Sequence, residues 1–374
     1  MALLTRRLAR SLPRSLGAAA LIACGNSTPS TVPDASTPSI PGTDAALDAP
    51  APRVDAATPD SGVEASAPDA GAPLTVTLDA TLAGFPHLID LYVPARPERL
   101  VVFLHGGGGT KDGAADQLSL RVAPTSAGAP PTYDEAWLTS HRVAFAIPQG
   151  QALPGTNGRT WSNYVMDSGV DDVAFLRALA AAARAGTLHA SLPAVAKVHV
   201  AGHSNGGMMA NRLWCEAPDA FDGFAALAGP ASTALGPAGA HPCQPVVAKP
   251  YLGYVGGKDT VLQTLGHWTD DVWTIAPVLA STPGFVDPTL VNELTFHETV
   301  RVPATCGGVV AAPTFGAGGV TTTWSDCGGK VRLVRVTNAG HCIGPRASCT
   351  DSFETETGQR LVDVLSGFFA ATAP

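Results

Sequence analysis

Lys197-Val198-His199-Val200-Ala201-Gly202-His203-Ser204-Asn205-Gly206-Gly207-Met208-Met209-Ala210-Asn211-Arg212-Leu213 is the stretch that decides the fold. Its first five residues, with Val198 and Val200 ahead of Ala201-Gly202, read as a buried strand, and Gly207 to Leu213 reads as a helix, which is expected to run from Asn205 to about Cys215. Between them lies Gly202-His203-Ser204-Asn205-Gly206. A Gly-x-Ser-x-Gly placed between a strand and a helix lifts its serine out of a sharp, strained turn. The helix N-terminus behind that turn favours negative charge. Ser204 is therefore the candidate nucleophile.

Working outward, Arg99–Leu104 reads as a second strand and runs into His105-Gly106-Gly107-Gly108-Gly109. A serine attacking an acyl carbon makes an oxyanion, which needs N–H donors already in place. The backbone of Asn205, next to the serine, is one candidate donor. Gly107 is the other, with Gly108 as its alternative. A phosphate cradle is the rival reading of these glycines, but no Lys-Ser/Thr follows them and no dinucleotide pattern fits. The acid and base are expected after the serine, in that order. Asp259 follows the strand Tyr251–Val255 and is favoured over Asp270, Asp271 and Asp287. His341 follows the strand Val331–Val336 and is favoured over His241, His267 and His297, none of which has a strand before it. Ser204, Asp259 and His341 then form a triad in which His341 takes the serine proton and Asp259 orients the ring.

Further strands are expected at Leu88–Val93, Arg142–Ile147 and Phe224–Leu227, and a helix over Val170–Arg184 with Asp171 and Asp172 at its N-terminal end. Strands alternating with helices over 300 residues predict an α/β fold with a mostly parallel sheet.

Taken together these residues resemble the polyhydroxybutyrate-depolymerase and feruloyl-esterase group of α/β-hydrolases. The resemblance covers most of Leu74–Pro374. It is carried by His105–Gly109, Arg159-Thr160-Trp161-Ser162-Asn163, Val170-Asp171-Asp172-Val173-Ala174-Phe175-Leu176, Gly202–Leu213 continuing into Cys215-Glu216-Ala217-Pro218-Asp219, and the Cys306…Cys327 pair ahead of a Gly-His. It implies an α/β-hydrolase fold and a secreted serine esterase without cofactor or metal, acting on a polyester or on feruloyl or acetyl groups of plant polysaccharide. The acid loop, Val255-Gly256-Gly257-Lys258-Asp259-Thr260-Val261, keeps the Asp of relatives but lacks their His and Pro. Cys342-Ile343-Gly344-Pro345 stands where they often carry Trp-Pro-Gly. Trp161 and His203 are the candidates for substrate contact, with plain packing the alternative for Trp161. Leu262–Val300, with Trp268 and Trp273, is a candidate cap. A non-catalytic binding protein on the same fold is the rival class.

Of 374 residues, 45% are hydrophobic and only 14% charged, with 40 Gly and 32 Pro. The net charge is −8, and four arginines (Arg6, Arg7, Arg10 and Arg14) sit in residues 1–23, which carry no acid. Such a chain lacks the basic footprint that nucleic acid requires. Residues 1–24 read as a lipoprotein-type signal peptide ending in Leu21-Ile22-Ala23-Cys24, with Cys24 the lipidated residue and the membrane a partner through that anchor. Residues 25–73, rich in Ser, Thr, Pro, Ala and Asp, read as a disordered tether, and residues 74–374 as the esterase domain. The six remaining cysteines suggest three disulfides in an exported domain. Pairing of neighbours gives Cys215–Cys243, Cys306–Cys327 and Cys342–Cys349, the second also implied by the resemblance.

Overall fold

A computed structural model describes residues 73–372, apart from 123–125, 127–128, 154–157, 265–287 and 345–348. The signal peptide with Cys24, the tether, Trp268, Trp273, Asp270, Asp271, Asp287, His267 and most of the candidate cap lie outside the described residues. Ten strands form one sheet: β1 (Thr75–Thr81), β2 (Leu88–Val93), β3 (Arg99–Leu104), β4 (Val143–Pro148), β5 (Lys197–His203), β6 (Gly223–Leu227), β7 (Tyr251–Gly256), β8 (Thr314–Phe315), β9 (Thr321–Asp326) and β10 (Val331–Val336). Their spatial order is β1-β2-β4-β3-β5-β6-β7-β10-β9-β8. The six central strands, from β4 across to β10, run parallel; the pairs at either edge are antiparallel.

Period-two alternation fixes which side chain faces which layer. Along β3, Leu100, Val102 and Leu104 join the core beneath α3 (Asp172–Ala185) and α4 (Asn205–Glu216), with Phe175, Leu179, Leu213 and Trp214. Val101 and Phe103 face the opposite layer. There α1 (Lys111–Gln117), α2 (Glu135–His141) and the final helix Leu361–Ala371 contribute Ala115, Leu138, Leu365 and Phe369. Both faces of the sheet are thus covered, and its strands read as continuous apolar runs for that reason.

The expected strands are all present, with small shifts in their bounds. Arg142 is not in β4: it takes a left-handed conformation (φ 53°) that closes α2. The helix expected from Val170 starts at Asp172. Asp171 caps it, accepting from the Ala174 N–H at 2.9 Å. Asp172 turns inward and is fully buried. All three disulfides join neighbouring cysteines, Cys215–Cys243, Cys306–Cys327 and Cys342–Cys349.

Candidate active site

Every element carrying a candidate residue ends at the same edge of the sheet, the carboxyl ends of the parallel strands. Ser204 follows β5, Gly107 follows the neighbouring β3, Asp259 follows β7 and His341 follows the adjacent β10. Ligand sites of open α/β sheets form at this edge, because loops there converge while the strand bodies are sealed by helices.

The turn at Ser204 has the strain expected of it. Ser204 sits at φ 54°, ψ −121°, a conformation that side-chain-bearing residues rarely adopt. Such a residue costs of order 1–3 kcal/mol, and persists only where its surroundings hold it. Here the Ser204 N–H donates to Leu227 O at 2.8 Å, and Ser204 O accepts from Met208 N–H at 2.9 Å. Strand and helix approach so closely that a Cβ on Gly202 would overlap the Gly206 carbonyl, and one on Gly206 would overlap that of Leu104. Both glycines of the motif are therefore steric necessities.

Asp259 and His341 are brought together. Asp259 is fully buried, and its Oδ2 lies 2.7 Å from His341 Nδ1. Its Oδ1 accepts the Leu262 N–H at 2.9 Å, so the buried carboxylate has a partner on each oxygen. A carboxylate only accepts, so His341 carries its hydrogen on Nδ1 and leaves Nε2 as the basic nitrogen. The His341 carbonyl accepts from His203 Nε2 at 2.7 Å, and the two rings are 4.8 Å apart. His203 is thereby buried as a brace between the nucleophile turn and the His341 loop.

The glycine loop lies against the serine turn. A Cβ on Gly106 would stand 3.2 Å from that of Ser204, and one on Gly107 would stand 3.6 Å from that of Asn205. The Gly108 N–H already donates to Arg159 O at 2.8 Å, which removes Gly108 as the alternative donor and favours Gly107. His105 braces the loop from below. Its Nε2 accepts the Gly150 N–H at 2.9 Å, so Nδ1 carries the hydrogen and donates to Gly106 O at 2.7 Å. Burial lowers the His105 pKa from 6.5 to about 4, keeping the ring neutral.

Trp161 does not line an open pocket. It is fully buried and its indole N–H donates to His105 O at 3.0 Å, so the packing alternative holds and the acyl-pocket expectation is corrected. Among the histidines passed over, His241 stacks on Tyr164 at 4.1 Å. His297, in the helical segment His297–Arg301, is buried against Asp326 at the end of β9, at 2.8 Å.

One buried cluster escaped the sequence reading. Arg301, without exposed surface, pairs with Glu293 at 2.8 Å and donates to Asn211 Oδ1 at 2.5 Å, with its guanidinium 3.7 Å from the centre of the Tyr251 ring. Tyr251 also donates to Asn211 Oδ1, at 2.7 Å. Asn211 is on the helix behind Ser204 and Tyr251 opens the strand leading to Asp259, so the cluster ties those two elements to the segment after residue 288. No single residue in it has a local signature. Among the described residues no group of three or more His, Cys, Asp or Glu side chains could hold a metal ion.

No protein-family profile matches the chain. Among curated proteins it is 29% identical over 319 residues to "Putative esterase NocK" of Nocardia uniformis subsp. tsuyamanensis, a match covering 78% of this chain and 81% of that protein. Among solved structures it is similar to acetyl xylan esterase from Aspergillus awamori, at 13% identity and a TM-score of 0.48, over 80% of this chain and 99% of that one. It is also similar to dienelactone hydrolase from Anabaena variabilis, at 14% identity and a TM-score of 0.41, over 80% and 98%. The assignment of the fold rests on the structure itself: the mostly parallel sheet, the helices on both faces and the strained serine turn between β5 and α4. The chain has the α/β-hydrolase fold. That fold supports many chemistries, so the reaction has to be argued from the site.

Proposed function

We propose that this α/β-hydrolase is a serine esterase that cleaves carboxylic esters, with a polyhydroxyalkanoate-type polyester as its substrate class. The observation that carries the reading is the contact of buried Asp259 with His341 Nδ1 at 2.7 Å, at the same sheet edge as a serine held at φ 54°. Ser204 Oγ attacks the ester carbonyl carbon and passes its proton to His341 Nε2, while Asp259 holds the ring and stabilises the imidazolium. The Asn205 and Gly107 amides receive the oxyanion. Collapse expels the alcohol, which takes the proton from His341. Water, deprotonated by the same nitrogen, then releases the acid and restores Ser204. The polyester class rests on the resemblance carried by Gly202–Leu213, Arg159–Asn163 and the Cys306–Cys327 bridge. The curated relative's name supports esterase chemistry in general.

Labelling of native protein by a fluorophosphonate, with Ser204→Ala as control, tests the chemistry. Absence of Ser204 labelling would favour a non-catalytic binding protein. Side-by-side hydrolysis of polyhydroxybutyrate film, methyl ferulate and acetylated xylan tests the substrate class, and preference for either of the last two moves the enzyme to plant polysaccharide esters. We further propose that the protein is exported and membrane-anchored through Cys24. Cys24→Ser is expected to release it from the membrane fraction with unchanged specific activity.

A further inference from the structure

The segment Arg159–Asn163 touches both halves of the proposed oxyanion site. On one side, the Arg159 carbonyl accepts the Gly108 N–H at 2.8 Å, and the Trp161 indole N–H donates to His105 O at 3.0 Å. These contacts fix the glycine loop on either side of Gly107. On the other side, Asn205 Oδ1 accepts the Trp161 N–H at 2.8 Å and the Thr160 hydroxyl at 3.2 Å. Asn163 Nδ2 donates to the Asn205 carbonyl at 3.0 Å. The Asn205 residue is thus gripped by both its side chain and its carbonyl. The segment is itself anchored: Ser162 N–H donates to the buried carboxylate of Asp172 at 2.7 Å, and that carboxylate also meets His87 Nε2 at 2.8 Å. Asn205, Trp161, Thr160, Asn163 and Asp172 are all buried.

We infer that the Asn205 side chain is a positioning residue, and that Thr160–Trp161 is the template that sets the aim of the Asn205 amide relative to that of Gly107. An oxyanion site works only if its donors are aimed before the charge develops, since reorientation during reaction would cancel the benefit. The Asn205 amide belongs to the strained peptide that follows Ser204, whose carbonyl is held from the helix side by the Met208 N–H at 2.9 Å; the Asn205 side chain adds a second, lateral anchor. A residue with an amide oxygen at position 205 gives the Trp161 N–H and the Thr160 hydroxyl a shared acceptor, which locks that peptide onto the same segment that holds the glycine loop. The two donors are thereby referenced to one rigid strip of chain. This inference rests on the esterase reading above.

The test uses the full-length protein with p-nitrophenyl acetate as substrate and an alkyl trifluoromethyl ketone as a reversible probe that forms a tetrahedral adduct on a serine. Asn205→Leu keeps the side-chain volume and removes the acceptor. It is expected to lower kcat by about tenfold or more, below the 10²–10³ typical of deleting a donor outright. KM should stay within about twofold, and affinity for the ketone should fall in parallel with kcat. Thr160→Val removes only a hydroxyl and preserves shape, so it serves where Asn205→Leu fails to fold. It should show the same split at smaller size, with Thr160→Ser recovering most of the loss. Folded variants with kcat within about twofold of wild type, or with weakened ketone binding unrelated to kcat, would overturn the inference. Hydrolysis retained by Ser204→Ala would instead remove the esterase reading itself, a result distinct from any shown by the position 205 and 160 variants.

Discussion

Asp259 and His341 meet at 2.7 Å although 82 positions separate them, because β7 and β10 are neighbours in the sheet and each ends at the same edge. The contact needs a buried acceptor. Asp259→Asn keeps the shape but offers an amide that can donate, which allows the ring to hold its hydrogen on the wrong nitrogen. Turnover of a short nitrophenyl ester should fall about 10⁴-fold with little change in Tm. Ser204→Ala and His341→Ala should cost on the order of 10⁴–10⁶-fold. Near-normal turnover by Asp259→Asn would mean that another acid serves His341.

The Ser204 turn makes a second, steric prediction. A methyl on Gly206 would overlap the Leu104 carbonyl, so Gly206→Ala should destabilise the domain or abolish turnover by relaxing the turn. Gly367, in the final helix, has open space where its Cβ would stand. Gly367→Ala should therefore stabilise by about 0.5–1 kcal/mol. Thermal melts of the two variants check this, and equal behaviour would contradict the close strand–helix approach.

The pattern of what the sequence revealed follows from these geometries. Strands such as Arg99–Leu104 and Tyr251–Gly256 were legible because both faces are buried, which makes them unbroken apolar runs. Thr75–Thr81 at one edge and Thr321–Asp326, one strand in from the other, were not, since Thr, Ser and Asp break up their apolar residues. The pairing of Asp259 with His341 was legible because each follows a strand, and the two strands are neighbours. Trp161 and His203 were less legible, because a side chain beside a nucleophile can face the substrate or brace the loops, and the bracing shows only in their hydrogen bonds to His105 O and His341 O. The Arg301 cluster was invisible, since a charged residue carries no sign of burial until its partners at 211, 251 and 293 are brought around it.

That cluster predicts non-additive stability. Removing Arg301 alone leaves Glu293 charged and buried, so Arg301→Met should cost about 3–5 kcal/mol. Arg301→Met combined with Glu293→Leu removes both charges and should be clearly more stable than Arg301→Met. Denaturant melts of the single and double variants measure the difference. A double variant no better than the single would show that Arg301 acts through packing on Tyr251 instead.

Two buried histidines give the fold an acid sensitivity. His105 is lowered to about 4 and His199 to about 3, in both cases chiefly by burial. For His199 the cations Arg99, Lys197 and Arg184 add to the lowering, and Asp222 opposes it. Each group binds a proton in the unfolded chain near pH 6.5 but not in the fold, so stability falls as pH drops below about 6.5 and the loss ends near the folded pKa. At pH 5 each contributes a loss of about 2 kcal/mol relative to pH 8. His199→Leu, whose ring position stacks on Phe369 at 4.3 Å, should narrow the difference in unfolding free energy between pH 8 and pH 5. An unchanged difference would mean that His199 is accessible to protons in the folded state.

The Cys342–Cys349 bridge is expected to matter for catalysis more than for stability. Cys342 directly follows His341, and the chain doubles back there: Gly340 N–H donates to Asp351 O at 2.7 Å and Phe353 N–H to Cys342 O at 3.0 Å. The bridge closes a span of 7 positions, worth roughly 2.5 kcal/mol by loop entropy, whereas Cys215–Cys243 closes 28 and should be worth roughly 3.5 kcal/mol. If only stability were at issue, loss of the longer bridge would do more harm. The longer bridge, however, joins the far end of the nucleophile helix to a surface segment, while the shorter one closes the turn that carries His341, next to its contact with Asp259. Cys342→Ser with Cys349→Ser should therefore lower kcat at a temperature well below its Tm, and Cys215→Ser with Cys243→Ser should lower Tm further while keeping kcat near wild type. Measuring kcat and Tm for both double variants separates the roles. Equal loss of kcat in the two, or full turnover without the shorter bridge, would show that the hydrogen bonds from Gly340 and Phe353 hold the His341 turn unaided.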